Sequence, residues 1–228
     1  MVDNEILNEI EKRGIKRICH FTKSKNLSHI LNDFKGIYAI DFLPENYKDC
    51  NDSLRLDGKT DYICCSIEYP NIFYLDRIKN NDKLFKDWII LSIDPKIMCL
   101  EKTLFSKVNA ATEKGRYITK GGGGFKSLFD NNIVTTKRSI KRECTMIESS
   151  PTDIQAEVLI YHKIPLEYIK GIIVKNELQA RDEFFRMKLW GGKNDIPIIV
   201  APELFNKDLS NKILAGTIPE EYCWTLNK

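Results

Sequence analysis

Two short stretches of the chain carry side chains suited to chemistry at a sugar. In Cys19-His20-Phe21-Thr22 an imidazole and a hydroxyl stand two residues apart, and Asn26 follows within the next turn. A histidine in a strand is ordinarily a structural residue. Here, though, three hydrogen-bonding groups gather at one strand end, where they could grip a ribose and a carboxamide. The second stretch, Asp153 to Tyr161, alternates: Ile154, Ala156, Val158 and Ile160 on one face, Gln155, Glu157, Leu159 and Tyr161 on the other. Glu157 is then a mid-strand carboxylate on the polar face, and Gln155 completes a Gln-x-Glu pair. Such a carboxylate is either surface decoration or the floor of a cleft. In a cleft it suits substitution at an anomeric carbon, whose oxocarbenium-like transition state needs a carboxylate to orient a ribose hydroxyl and stabilise positive charge. The same group can take the proton of an attacking base nitrogen.

The elements that must position these residues are short. Apolar spacing at Ile6, Leu7 and Ile10 predicts a helix over Asn4 to Arg13 with Gly14 as its stop. Lys16 to Phe21 reads as a strand, and Thr22 or Ser24 as the cap of a second helix through Asn26, Leu27, Ile30 and Leu31, with Gly36 beyond its end. Gly36 to Ile40, Tyr62 to Ile67 and Trp88 to Ile93 read as strands, with a polar loop from Pro44 to Lys59. The glycine-rich stretch Gly115 to Gly124 predicts a mobile loop, since glycine gives up most entropy on ordering, and Phe125 to Asp130 a short helix. No Lys-Ser/Thr pair follows the glycines as a P-loop requires. Pro165 starts a turn, Ile169 to Val174 is a strand, Glu177 to Leu189 an amphipathic helix ended by Gly191-Gly192, and Ile196 to Val200 a final strand. Strands outnumber long helices without alternating with them, which argues for an α+β fold rather than a doubly wound parallel sheet.

Bulk properties set the outer limits. The 228 residues fit one domain, and 43% hydrophobic with 29% charged residues describes an ordinary globule. No apolar run reaches the roughly 20 residues of a membrane span, and the acidic N-terminus lacks a signal-peptide pattern. Seven cysteines in no regular framework, two of them adjacent at Cys64 and Cys65, suit reduced thiols in a cytoplasm and offer no zinc site. The net charge of +3 neither demands nor excludes nucleic acid. Local clusters matter more: Arg13, Lys16, Arg17, Lys23 and Lys25 early, and Lys137, Arg138, Lys141 and Arg142 late.

Taken in order, these stretches resemble the DarT family of DNA ADP-ribosyltransferases, most strongly over residues 15–174. The resemblance is carried by His20-Phe21-Thr22 with Asn26-Leu27, by Asn109-Ala110-Ala111, and by Asp153-Ile154-Gln155-Ala156-Glu157-Val158-Leu159. It implies an ADP-ribosyltransferase-like fold of two packed, mostly antiparallel sheets around an NAD⁺ cleft, with NAD⁺ as co-substrate and no metal. By that resemblance His20 and Thr22 would hold the nicotinamide–ribose end, with Asn26 beside them, and Glu157 and His20 would be the catalytic pair. The segment from Asn131 to Thr152 would recognise substrate through Lys137, Arg138, Lys141 and Arg142, and Asn109 and Gln155 outside it are also expected nucleic-acid contacts. One departure stands out. Many members carry an arginine in a Tyr-Phe-x-x-Arg-x-Pro-Met stretch, where this chain has Cys65-Ser66-Ile67-Glu68-Tyr69-Pro70-Asn71. Ser66 and Tyr69 are then expected to line the cleft, with Arg55 as the replacement cation for the NAD⁺ phosphates. Phe105, Tyr117 and Phe125 are either core residues or platforms for a base extruded from the strand.

The activity expected from the resemblance is transfer of ADP-ribose from NAD⁺ to a nucleobase of single-stranded DNA, with release of nicotinamide. RNA or protein acceptors, and a non-catalytic nucleic-acid-binding module on the same fold, are the alternatives. As a cytoplasmic toxin the protein would have a cognate macrodomain-type antitoxin as partner.

Overall fold

The computed structural model describes residues 3–48, 55–82, 84–191 and 196–226. Helix α1 (Asn4–Arg13) forms where predicted. The Asp3 carboxylate accepts hydrogen bonds from the Glu5 and Ile6 amides, and Gly14 closes the helix at φ 63°. Its buried Ile6 and Ile10 lead into β1 (Ile18–Lys23). The second helical stretch forms where predicted, over residues 24–33, but irregularly: 3-10 at Ser24–Asn26, α at Leu27 and Ser28, and π over His29–Asp33. Neither Thr22 nor Ser24 caps it, because both hydroxyls are used laterally. Thr22 Oγ1 accepts from Asn26 Nδ2 at 3.0 Å, and the buried Ser24 hydroxyl donates to Glu183 at 2.5 Å.

The remaining elements are β2 (Gly36–Tyr38), β3 (Tyr62–Ile67), α2 (Ile72–Asn81), β4 (Trp88–Ile93), β5 (Leu104–Ser106), β6 (Ile118–Lys120), α3 (Gly121–Lys126), β7 (Asn132–Val134), β8 (Ser139–Lys141), β9 (Glu157–Tyr161), β10 (Lys163–Pro165), β11 (Ile169–Val174), α4 (Glu177–Leu189), β12 (Ile198–Val200), α5 (Leu209–Leu214) and β13 (Tyr222–Cys223). Nine strands run in the order β13-β12-β11-β4-β1-β3-β9-β5-β6, and β10-β2 and β7-β8 form separate ribbons. Among the described residues only β11 and β12 pair in parallel. This is the expected α+β fold. Strand β4 is buried at all six positions and anchors the centre. It pairs with β1 along six residues, from Ile18↔Ile93 to Lys23↔Trp88. On its other edge β1 meets β3 at only Ile18↔Ile67 and Cys19↔Ser66. Past Cys19 the two halves of the sheet separate.

Two local expectations fail for identifiable reasons. The glycine run is no loop but the first turns of α3, because close packing outweighs glycine's entropy loss. A Cβ at Gly122 would fall 2.1 Å from the Glu5 carboxylate, and one at Gly124 2.7 Å from the Thr119 hydroxyl. Phe125 then reaches the core beside Phe105 and Phe129, at ring separations of 5.2 and 5.7 Å. Likewise, the strand expected from Asp153 begins only at Glu157. Asp153 accepts from the Gln155 amide through its side chain and from the Ala156 amide through its carbonyl, a turn that takes both residues out of the pleat. Leu159, on the nominally polar face, is fully buried.

The tail from Asn176 onward completes the core. Asn176 caps α4, which ends at Trp190 with Gly191 at φ 69°, and Gly192 lies outside the described residues. The last strand is not Ile196–Val200 but β13, which extends the sheet beyond β12. Arg17 reaches across to Glu221 at 2.7 Å and donates to the Glu68 carbonyl at 2.9 Å, tying the tail to β1. The described cysteines Cys19, Cys64, Cys65, Cys99, Cys144 and Cys223 form no disulfide.

Gly36, where β2 meets β10, has φ 142°, and a Cβ there would lie 2.4 Å from the Ile164 carbonyl oxygen. Backbone cannot yield as a flexible side chain can. Gly36→Ala is therefore expected to cost roughly 2–3 kcal/mol, read as a lower midpoint in urea denaturation, while Gly123→Ala, with open space around it, shifts the midpoint by less than a third as much.

Candidate active site

Where β1 leaves β3 a cavity of about 390 Å³ opens, within the size range of small-molecule sites. His20, Thr22 and Asn26 line it from β1 and the turn that follows; Glu157 and Asn109 line it from the far half of the sheet. The strand-end histidine and the polar-face glutamate thus share one cleft.

Glu157 opens β9 opposite Ser106 of β5. The loop leaving β5 turns back over it. The Ala110 amide donates to Oε2 at 2.7 Å and Asn109 Nδ2 to Oε1 at 3.4 Å, while the Ala111 amide steadies Asn109 through its Oδ1 at 3.2 Å. The carboxylate is therefore aimed by backbone. Asn109 holds the acid, a closer role than the nucleic-acid contact expected of it.

His20 is oriented from the facing strand. Its Nδ1 lies 2.9 Å from the Cys64 carbonyl oxygen. Only a protonated nitrogen can pair with a carbonyl, so Nδ1 carries the hydrogen. Burial holds the ring below the ordinary histidine value, which leaves it neutral near pH 7 and makes Nε2 an acceptor. Thr22 and Asn26 form one hydrogen-bonded pair beside it. The thiols of Cys64 and Cys65, also at the cavity wall, are pushed well above their usual range by burial, so they are neutral lining rather than nucleophiles.

Other expected site residues fare differently. Ser66 lines the cavity, its Oγ accepting from the Asn71 amide at 3.1 Å. Tyr69 does not: Glu68 at φ 61° turns the chain, and Tyr69 packs into the core with Cys19, Ile72 and Leu75. Arg55 lies at the cavity, but its guanidinium latches its own loop. It donates to both Asp57 carboxylate oxygens, at 3.0 and 2.9 Å, and to the carbonyls of Tyr62 and Lys59. Four of its five N–H donors are thus engaged within its own loop, so the cation expected at the NAD⁺ phosphates also has a structural role.

Of the late basic cluster, Lys137, Arg138 and Lys141 are exposed on the β7–β8 hairpin, with Arg138 paired to Asp153 at 2.6 Å. Arg142 is structural: it donates to the carbonyls of Ile147, Glu148 and Ser150 and so folds the segment before β9. Gln155, removed from the strand by the Asp153 turn, is not part of the cavity wall. Phe105 and Phe125 are fully buried and cannot stack on a base, whereas Tyr117 is partly exposed with its hydroxyl on Glu113.

Helix α2 contributes residues that the sequence did not single out. Arg77 lies exposed at the cavity wall, its guanidinium 4.7 Å from the Tyr74 ring. Asn71 caps the helix through Oδ1, while its buried Nδ2 has no acceptor among the described residues, a donor that a ligand in the cleft can satisfy. A cation, an unmatched amide, a neutral histidine and an aimed carboxylate suit a ligand carrying phosphate, carboxamide and ribose groups. No spacing in α2 marks Asn71 or Arg77 as functional, because their role arises only where α2 meets the cleft.

The sequence profile of the family described as "ssDNA thymidine ADP-ribosyltransferase, DarT" matches residues 19–206, well over half the chain. No curated protein sequence matches significantly. Among solved structures, the Thermus sp. 2.9 DarT in complex with NAD⁺ superposes with a TM-score of 0.60 at 12% identity, over 84% of this chain and 98% of that one. The same protein in complex with ADP-ribosylated ssDNA gives 0.60 and 12%, over 85% and 97%. Thermosipho africanus DarTG in complex with ADP-ribose gives 0.52 at 17%, over 83% of this chain and 51% of that one. At these identities the likeness establishes the fold, and the sequence profile the family.

The lowered His20 value has a consequence for stability. As pH falls below 6.5, the unfolded chain takes up a proton at His20 that the folded site resists, so this contribution is complete above 6.5 and lost towards the depressed folded value. The stability gap between wild type and His20→Gln, measured by urea denaturation, should narrow between pH 7.5 and pH 5. A constant gap would show that the ring titrates alike in both states.

Proposed function

The chain belongs to the DarT family of ssDNA thymidine ADP-ribosyltransferases, and from that premise we propose that thymidine is the base it modifies and that Glu157 and His20 carry the reaction. The activity itself follows from the family: transfer of ADP-ribose from NAD⁺ to single-stranded DNA. What supports the residue roles is the meeting of Glu157 and His20 in one cavity, each held from outside its own side chain, by the Ala110 amide and the Cys64 carbonyl.

In this reading NAD⁺ lies in the cleft with its diphosphate towards Arg77 and its nicotinamide riboside between His20 and Glu157. The acceptor Nε2 of His20 takes a hydrogen bond from a ribose hydroxyl or from the carboxamide. The bond between the ribose anomeric carbon and the nicotinamide nitrogen breaks, and its electron pair leaves with nicotinamide. Glu157 orients the ribose and stabilises the cationic carbon. Thymidine has a single ring N–H, at N3. That nitrogen attacks the carbon, and its proton passes to Glu157. The proton transfer needs a carboxylate with a fixed direction, which the Ala110 and Asn109 donors supply.

A cognate macrodomain-type antitoxin and a cytoplasmic location complete the proposal. DarTG, to which the chain is similar over about half of that protein's length, supports the first. Among the described residues, no helix is long and apolar enough to cross a membrane.

Incubation with NAD⁺ and oligonucleotides that contain or lack thymidine should give a mass gain of one ADP-ribose on the thymidine-containing strand alone. Modification of RNA or protein with DNA untouched would refute the acceptor. Glu157→Gln should lower the rate roughly 10²–10⁴-fold with the fold intact by circular dichroism. Arg77→Ala should raise the KM for NAD⁺ about tenfold, equivalent to some 1.4 kcal/mol, with little change in kcat. An unchanged KM would move the diphosphate elsewhere.

A further inference from the structure

The loop that aims Glu157 does not end at Ala111. It continues to Tyr117 through a conformation that needs explaining. Glu113 and Lys114 both adopt left-handed backbone, at φ 50°, ψ 40° and φ 57°, ψ 42°, and Gly115 follows at φ 84°. Two consecutive non-glycine residues in this region are strained and persist only where their surroundings hold them.

What holds them is the Glu113 side chain. Its carboxylate accepts from the Tyr117 hydroxyl at 3.0 Å, Arg116 Nη1 at 3.1 Å and the Thr136 amide at 3.3 Å, and from the Thr136 hydroxyl. Thr136 lies in the turn of the β7–β8 hairpin, so one acid clasps the hairpin to the loop. On the loop's other side, Gly115 packs closely against the Asp57 carbonyl in the loop that Arg55 latches. These bonds leave the cations outward. Lys114 is exposed, the Arg116 side chain is 66% exposed, and Lys107 sits over the Tyr117 ring at 5.9 Å. Across the clasp stand the exposed Lys137 and Lys141.

We propose that the loop of residues 107–117 is a phosphate-binding arm for the single-stranded DNA, with Lys107, Lys114 and Arg116 facing the hairpin lysines across the Glu113 clasp. The proposal rests on the single-stranded-DNA activity above and adds to it where the strand runs. Three observations support it. The clasp sets one carboxylate, Glu113, among five cations, Lys107, Lys114, Arg116, Lys137 and Lys141, so the cations outnumber it. The contacts of the exposed Arg116 and the half-buried Lys107 are of the weak, exchangeable kind that a phosphate can replace. And Lys107 directly follows Ser106, the register partner of Glu157, so a strand held here lies beside the reacting carboxylate. Tyr117 offers an aromatic ring within the same track.

The test is the salt dependence of binding to a fluorescent thymidine-containing oligonucleotide without NAD⁺. For single strands each phosphate contact contributes about 0.7 to the slope of log affinity against log salt. The double variant Lys107→Gln, Lys114→Gln should lower the slope by about 1.4 and weaken binding roughly tenfold at low salt. Nicotinamide release in the absence of DNA should stay unchanged. Lys188→Gln, on the outer face of α4, should match wild type throughout. A double variant with wild-type slope and affinity overturns the arm alone. A wild-type protein that binds no oligonucleotide overturns both the arm and the activity on which it rests.

Discussion

The separation of β1 from β3 is the constraint on which the site depends. Strand β1 is satisfied along its whole length on the β4 side, but on the β3 side the ladder stops after Cys19. The next residue is His20, whose ring takes the place of a backbone bond by pairing with the Cys64 carbonyl. A side chain there holds the strands farther apart than a ladder would, and the cavity occupies the gap. One contact therefore opens the cleft, fixes the histidine tautomer and satisfies a carbonyl that the parting strands would leave unpaired. The stretch beyond it, with hydroxyls bonding sideways rather than capping a helix, keeps Thr22 and Asn26 at the rim.

A second constraint acts from the opposite side. Glu157 begins its strand only because Asp153 turns the chain just before it, and it stands opposite the last residue of β5, from which the Asn109–Ala110 loop returns. Acid and aiming donors belong to adjacent strand ends, so their geometry follows from sheet register rather than from loop conformation. The same economy governs the cations. Arg55 and Arg142 hold their own loops through carbonyls and a carboxylate, leaving Arg77, Lys114 and Arg116 turned to the outside and Lys107 half-buried. Proximity to a cleft does not make an arginine a ligand. Its partners decide.

Much of this was legible in the sequence where a single force dominates. Strands β3, β4 and β11 and helices α1 and α4 fall within their predicted bounds, because isoleucine-rich apolar runs and side-chain-capped helix starts leave no competing local solution. Helix α4 is not the amphipathic helix expected, since it buries Gln179 and Glu183 and exposes Leu178, Phe185 and Leu189. His20 and Glu157 stood out as polar residues in apolar strands. The failures have two causes: a contact distant in the chain, from Glu5, and local turns that overrode the period-two pattern. The glycine run became a helix through Glu5 and Thr119, Tyr69 turned inward after a left-handed Glu68, and Gln155 left the strand through Asp153. Asn71 and Arg77 carry no local mark, since a helix cap and a solvent-facing arginine look the same beside a cleft or far from one.

The missing family arginine fits this division between what must be placed and what must only be near. A diphosphate spreads its charge over several oxygens, so a cation can approach it from β3, from a loop or from α2 and still neutralise it, as Coulomb attraction falls off gently with distance. The carboxylate has no such freedom. It must lie within hydrogen-bond reach of a hydroxyl and of the attacking nitrogen at once. At 12% identity to the Thermus protein the fold persists, and within it this chain brings Glu157 and His20 to one cleft. Helix α2, which packs its own Tyr74 against Phe21 of β1 at 5.9 Å, is attached to the strand that carries His20 and brings Arg77 to the same cleft.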